Sequence, residues 1–364
     1  MARKRILSTL LLTAALGATA LPSASASAPA GASAGSAPSA DRPYKVVWDD
    51  FRHGLRTSGP GAPWFQIEGG GYRADDGIVS TSRHGLHVKS SGVNPRTGEP
   101  AFVQTIPQHT PSGAPGSGDH AKWLVYTSHT SSHGYPGFDA VPGLVLSCET
   151  TMSGRTYGTA GHPFGKAVKD PEDDLRLASV MLNTIDNETS TAFDFVITNK
   201  RIYAFYGRPT FGRATLGNYA SFANTVPLMW RKPGDTHRLK ISYDRSAGVV
   251  RWLIDGREVL KVDRIGHRLG RDTLTLDEGG VEGRVAPRQL NCGMGLLNLL
   301  DGSYPTGKGL ARLSVQTNYY EPRLGEPHEE TFVDEQSTES SRLFGQGGEF
   351  RMKNLIVSST RARR

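Results

Sequence analysis

The stretch from His237 to Val262, HRLKISYDRSAGVVRWLIDGREVLKV, limits the fold more than any other part of the chain. Leu239, Ile241 and Tyr243 alternate with polar residues, Asp244 to Gly248 turns the chain, and Val250, Trp252 and Ile254 then share one face. Asp255-Gly256 makes a second turn before Val259 and Leu260. Successive side chains of a strand point to opposite faces, so period-two alternation bounded by Asp/Gly turns specifies three short antiparallel strands. A sheet with one apolar face needs a second layer to cover it. Trp252 and Ile254 are therefore expected in a core between two sheets.

The same grammar recurs along the chain. Lys45 to Phe51, Gly77 to Val88, Trp123 to Tyr126, Leu144 to Met152, Leu175 to Ile185, Ala192 to Asn199, Ile202 to Tyr206, Cys292 to Leu300, Leu310 to Tyr319 and Glu349 to Val357 all read as strands. Strong helix signals and internal repeats are missing, and 43 glycines with 22 prolines suit a turn-rich all-β chain. Phe211 to Trp230 reads as irregular and is expected to fold over a sheet as a cleft wall.

Three patterns in this order resemble the concanavalin A-like lectin/glucanase superfamily. They are the opening D-D-F … W … D-G … G-L-x-V, the meander H-x-L-x-I-x-Y-D, turn, V-x-W-x-I-D-G-x-x-V, and the closing strand. The chain also looks like a group of uncharacterised secreted bacterial proteins with the same FDF-x-x-T-N and W-x-x-D-G stretches. The resemblance spans most of Trp48 to Val357 and implies a two-sheet antiparallel jelly-roll β-sandwich with long loops. It implies a glycan ligand as well, bound across the concave sheet.

Composition places this domain. Arg3, Lys4 and Arg5 precede an apolar run from Ile6 to Leu21 and the small residues Ala24-Ser25-Ala26, the pattern of a secretory signal peptide over residues 1–26. The apolar run is shorter than the ~20 residues of a bilayer span. Residues 27–41 are almost wholly Ala, Ser, Gly and Pro and read as a linker that cannot bury enough apolar surface to fold. One domain is expected over 42–359, followed by a basic tail, 360–364. Without Arg3, Lys4 and Arg5 the formal charge falls from +7 to +4, and nothing resembles a basic face built to neutralise phosphates. The expected protein is secreted and monomeric, takes an extracellular polysaccharide or other glycan, and has no nucleic-acid partner and no membrane span.

Cys148 and Cys292 are the only cysteines. In an oxidising compartment they form a disulfide candidate, the alternative being two buried thiols; two sulfurs without clustered partners do not make a metal site. No cofactor is implied. The acidic stretch Asp170 to Asp174 reads as a solvated turn, with a cation site (a structural calcium ion) or a sugar-hydroxyl site as the other reading.

The chemistry is less legible. Laminarinase-type members of the superfamily carry E-x-D-x-E or E-x-D-x-x-E on one strand, aiming two carboxylates into the cleft about 5–5.5 Å apart. Here Glu149 is followed by Thr150, Thr151, Met152 and Ser153. A catalytic pair would have to come from separate strands, Glu149 with Asp194. Asp194 sits between Phe193 and Phe195 and must face a wet cleft or a buried partner such as Arg176 or Arg201, because an unpaired buried carboxylate is costly. A lyase would need a neutraliser and a tyrosine or histidine to carry the proton, roles that Arg176, Tyr203 and Tyr206 fit by residue type. A non-catalytic glycan-binding protein needs aromatic platforms, for which Trp64, Trp123, Tyr126 and Trp230 are available. Enzyme and binding protein both stay open at this point.

Overall fold

The structure is a computed structural model that describes residues 42–362, except 70–71, 76, 91–120, 163–164, 299, 303–310, 314–318, 321–328 and 331–346. Its principal strands in chain order begin with β1 Tyr44–Asp49, β2 Trp64–Gln66, β3 Gly77–Ser82, β4 Gly85–Ser90, β5 Ala121–Thr127 and β6 Leu144–Tyr157. β7 Ser179–Asp186, β8 Thr191–Ile197, β9 Arg201–Arg208, β10 Phe222–Trp230, β11 Thr236–Asp244 and β12 Val249–Ile254 follow. The series closes with β13 Arg257–Val262, β14 Leu274–Asp277, β15 Gln289–Leu297, β16 Gly347–Met352 and β17 Leu355–Arg361. Sheet 1 runs β13-β12-β11-β6-β16-β4-β3, with β17 also on β6 and β1 on β17. Sheet 2 runs β2-β5-β15-β7-β8-β9-β10-β14. The pairs are antiparallel, and the two sheets form the expected jelly-roll β-sandwich. Among the described residues the one α-helix is the single turn Arg213–Leu216, and no helix is long and apolar enough to cross a membrane.

The meander takes the predicted form because its turns fit it. Asp255 and Gly256 both have positive φ, at 53° and 84°, which joins β12 to β13 in the handedness that two-residue hairpins prefer. The Asp255 carboxylate reaches back to β11, accepting from the Arg238 N–H at 2.8 Å and facing His237 Nδ1 at 2.8 Å. Register then sets Trp252 opposite Ile241, Ile241 opposite Cys148, and Cys148 opposite Val357. All four side chains are buried, so one inward row crosses four strands of sheet 1.

Two contacts tie that row to sheet 2. Trp252 Nε1 donates to the Asp194 carbonyl at 2.9 Å, and its ring meets Phe193 edge-on at 6.0 Å. Cys148 of β6 and Cys292 of β15 are joined as a disulfide, with Cα atoms 6.1 Å apart, so the bond spans the core from sheet to sheet. Val180, Leu182, Phe195, Met294 and Val357 belong to the same buried core as the bond.

Several expectations need correction. Residues 222–230 form a strand rather than an irregular wall, since Arg201 to Arg208 supplies a full partner edge. The closing strand is two: β16 and β17 both pair with the long β6, and the chain breaks step at Lys353-Asn354. There the Lys353 N–H donates to the Thr151 carbonyl and the Thr150 hydroxyl donates to the Asn354 carbonyl. β17 continues to Arg361, two residues beyond the expected end of the domain. The strand expected over 310–319 and the charged stretch 322–342 lie mostly outside the described residues.

The disulfide closes a separation of 144 residues. Chain-entropy reasoning gives such a loop about 5 kcal/mol of stabilisation, and native bonds of this kind commonly contribute 2–5. Cys292→Ser should therefore lower Tm by roughly 5–10 °C, and reductant should do the same to the unmutated protein. Equal melting of the two forms, with both thiols labelled in unfolded, unreduced protein, would show that the bond does not form.

Candidate functional site

Alternation along β8 sends Phe193, Phe195 and Ile197 into the core and Asp194 to the outer face of sheet 2. Register assembles its neighbours. Leu182 opposite Phe195 and Ile185 opposite Ala192 put Asn183 of β7 beside Asp194, and Phe205 of β9 lies on the other side. Beyond Asn183 comes Gly293 of β15, then Tyr126 of β5, then Phe65 of β2. One row across the outer face thus reads Phe65, Tyr126, Gly293, Asn183, Asp194, Phe205.

The glycine shapes this row. A Cβ on Gly293 would sit 2.5 Å from Tyr126 Cδ1 and 2.6 Å from the Val125 carbonyl. The bare backbone therefore lets the Tyr126 ring lie over β15 and lean toward Asn183 and Asp194, and the Asp194 carboxylate acts on the phenol electrostatically. Burial and that carboxylate together hold the Tyr126 phenol well above its ordinary value.

Asp194 is only 5% exposed, and its partners are neutral: the Thr184 N–H donates to Oδ1 at 2.8 Å, and the Asn183 side chain bonds the carboxyl. Loss of water around the carboxyl outweighs both bonds and pushes its pKa from 3.8 up to about 8. At neutral pH the group is mostly the neutral acid, able to donate an O–H. Asn183 is 4% exposed, and its Oδ1 has no hydrogen-bond partner among the described residues. A buried acceptor without a donor carries a cost of about 1–3 kcal/mol that a ligand hydroxyl would remove. A donor on Asp194 and an unpartnered acceptor on Asn183 thus sit together on the outer face of the sheet, both buried, between the buried Tyr126 and the half-buried Phe205.

The remaining predicted residues are placed elsewhere. Glu149 follows the inward Cys148, so it points away from the core on the outer face of sheet 1, facing Lys240 Nζ at 3.7 Å and Arg238 Nε at 3.9 Å. Glu149 and Asp194 thus lie on opposite sides of the sandwich and cannot flank one bond. Arg176 is buried and paired with Asp174, its Nε 2.8 Å from Oδ1, and Arg201 faces Asp173 at 3.1 Å. Neither neutralises Asp194. The Tyr203 phenol donates to Asp173 at 2.8 Å. Tyr206 points into the core, receiving the Gly266 N–H at 2.7 Å and donating to the His267 carbonyl at 3.0 Å. Trp123 packs in the core against Phe350, and Trp64 is buried as well. None of these four aromatics is a free platform. No group of three or more histidine, cysteine, aspartate or glutamate side chains able to hold a metal occurs among the described residues.

Comparison with known proteins matches residues 48–361 to the family model described as Family of unknown function (DUF6081). The chain belongs to that family. A curated relative, Uncharacterized protein L829 of Acanthamoeba polyphaga mimivirus, is 28% identical over 288 residues, covering 64% of this chain and 61% of its own length. Among solved structures, an endo-1,3-beta-glucanase from Streptomyces sioyaensis is 13% identical at a TM-score of 0.42, covering 91% of this chain and all of its own. An endo-1,3-beta-glucanase (laminarinase) from Thermotoga petrophila is 12% identical at 0.38, covering 88% and 97%. The alginate lyase A1-II' is 11% identical at 0.37, covering 80% and 86%. Likenesses this distant say nothing about which residues act in this DUF6081 member.

Sequence reasoning missed Asn183 and Gly293. Asn183 interrupts the run Val180-Met181-Leu182 and could have been noticed for that. Its meeting with Asp194 follows only from the register.

The pKa of Asp194 makes a stability prediction. Between about 4 and 8 the folded protein keeps a proton that the unfolded chain releases. Stability from this group is full below about pH 4, falls as pH rises, and is lost above about 8. Asp194→Asn removes the dependence, so the Tm difference, unmutated minus variant, should decline by several degrees from about pH 5 to pH 9. Parallel Tm curves would show that the carboxyl titrates normally.

Proposed function

We propose that this chain is a secreted glycan-binding protein that takes an extracellular polysaccharide across the outer face of sheet 2. The juxtaposition of Asp194 with the unpartnered Oδ1 of Asn183, bracketed by Tyr126 and Phe205, carries the reading. Neighbouring sugar hydroxyls each donate and accept, so one can take the Asp194 proton while the next donates to Asn183. Aromatic side chains beside such a pair supply the apolar contact that sugar C–H groups need. The intersheet disulfide fits an oxidising, extracellular setting.

Binding is favoured over turnover for two reasons. A two-carboxylate glycosidase mechanism needs a second acid beside the first. On the outer face of strands β5, β15, β7, β8, β9 and β10, Asp194 is the sole carboxylate among the described residues, and Glu149 is on the other sheet. A lyase of this fold needs a tyrosine or histidine to carry the proton near neutral pH. Tyr126, whose phenol the Asp194 carboxylate acts on, is shifted away from that range.

Affinity electrophoresis through a panel of soluble polysaccharides, with reducing-end release measured in parallel, tests this. At least one glycan should retard the protein without release of new ends. Asn183→Ala and Asp194→Asn should each weaken retardation roughly tenfold, the effect of losing about 1.4 kcal/mol, with Glu149→Gln unchanged. Loss of retardation in Glu149→Gln with Asp194→Asn unaffected would move the site to sheet 1 and refute the reading.

A further inference from the structure

The outer face of sheet 1 collects cations that no run of the sequence announces, because strand pairing brings them together from Lys45 to Arg351. Val46, Val88, Leu239, Val250, Val262 and Phe350 pack into or against the core, so their strand neighbours turn outward. Over one half of the sheet these neighbours include Lys45 of β1, Lys240 of β11, Arg251 of β12 and Lys261 of β13. Over the other half they include Lys89 of β4, Arg155 of β6, Arg238 of β11 and Arg351 of β16. The outward acids among the described strand residues are Asp244, Glu149, Glu258 and Glu349, so eight cations face four anions and the face carries a formal +4. The chain without Arg3, Lys4 and Arg5 also sums to +4, 39 basic residues against 35 acidic, so everything outside this face balances.

Part of the charge is already neutralised. Arg155 pairs with Glu349 at 2.6 Å and Arg251 with Glu258 at 3.1 Å, while Lys240 and Arg238 share Glu149 at 3.7 and 3.9 Å. Lys45, Lys89 and Arg351 are exposed and have no ion-pair partner among the described residues. Register places Lys45, Arg251 and Lys261 level with Ser147 of β6, and Lys89 level with Arg155. The cations therefore spread over five strand spacings, about 24 Å, in one direction and eight residues of β6, about 27 Å, in the other. Two exposed aliphatic side chains share the face: Val47, 51% exposed, on the strand of Lys45, and Ile78, 60% exposed, opposite Lys89. Among the described strand residues Tyr157 is the one aromatic that alternation sends there.

We propose that the outer face of sheet 1 is an adsorption surface for an anionic lipid bilayer. Cations dispersed in two dimensions match a plane of headgroup phosphates, whereas a single polyanionic chain would meet only those along its own track. Val47 and Ile78 point the same way: aliphatic groups beside basic ones are at home where headgroups meet acyl chains, and a polyphosphate chain has nothing apolar to cover them. Each lysine or arginine near an anionic leaflet strengthens partitioning about fivefold, an effect that salt screens. The face lies on the opposite side of the sandwich from Asp194, so the proposal does not depend on the glycan site.

The test is sedimentation with vesicles of phosphatidylcholine, with and without phosphatidylglycerol, at low and high salt. It uses Pro38–Arg364, a compact unit by itself, because the apolar run from Ile6 to Leu21 would bind vesicles unaided. Phosphatidylglycerol vesicles should bind the protein at low salt and release it at high salt, and phosphatidylcholine alone should not bind it. The combined exposed-site changes Lys45→Gln, Lys89→Gln and Arg351→Gln should weaken binding roughly hundredfold. Val47→Ser with Ile78→Ser should weaken it severalfold. Lys232→Gln, Arg271→Gln and Arg284→Gln together, which remove as much charge from exposed loop positions, should leave it unchanged. Equal loss in the two triple variants would show that net charge acts rather than this face, and would overturn the proposal. Binding to polyphosphate but not to vesicles would refute the lipid surface, and so would vesicle binding indifferent to Lys45, Lys89 and Arg351.

Discussion

Two apolar sheet faces can leave water only by facing each other, and everything else in this molecule depends on that contact. Its centre is the inward row of Trp252, Ile241, Cys148 and Val357, closed by Phe193, Phe195 and Cys292 from the opposite sheet. Burying a side chain of this size contributes about 1.5–3 kcal/mol. A polar atom inside the core must find a partner, and Trp252 finds it in the Asp194 carbonyl. The residue that fixes the meander thus also fixes the backbone beneath the candidate site. The disulfide acts at the same level, holding β6 of sheet 1 against β15 of sheet 2.

Packing of Phe193 and Phe195 on the inner face of β8 sends its polar group to the outer face, which is buried as well. Strand alternation forces Asp194 outward because Phe193 and Phe195 are inward. The cost of that placement appears as a neutral carboxyl: with only Thr184 and Asn183 for company, the group holds its proton to about pH 8. Among the described residues, Arg176 pairs with Asp174 and Arg201 with Asp173. A carboxyl kept neutral beside an unpartnered amide acceptor is the pair on which the proposed glycan site rests.

The fold was legible where side-chain period and turn chemistry agreed. The meander between His237 and Val262 and the inward pointing of Trp252 and Ile254 follow from alternation with Asp and Gly turns. The site was legible only in part. Alternation showed that Asp194 opposes its neighbours, yet its partner came from the pairing of β7 with β8, which no local pattern encodes. The orientation of Glu149 could have been inferred, because an intersheet Cys148 obliges its neighbour to face outward from sheet 1. Aromatic residue type could not separate platform from core: Trp123, Tyr203 and Tyr206 are buried, whereas Trp230, after the bulge that resets β10 against β9, is exposed.

The central claim is that ligand is taken on the outer face of sheet 2, over β5, β15, β7, β8 and β9, with sheet 1 as a supporting layer. Hydrogen–deuterium exchange with and without a retarding polysaccharide measures this directly. Peptides covering 121–127, 179–186, 191–197 and 201–208 should gain protection on binding, while those covering 144–157 and 236–244 stay unchanged. Protection confined to the sheet 1 peptides would contradict the account.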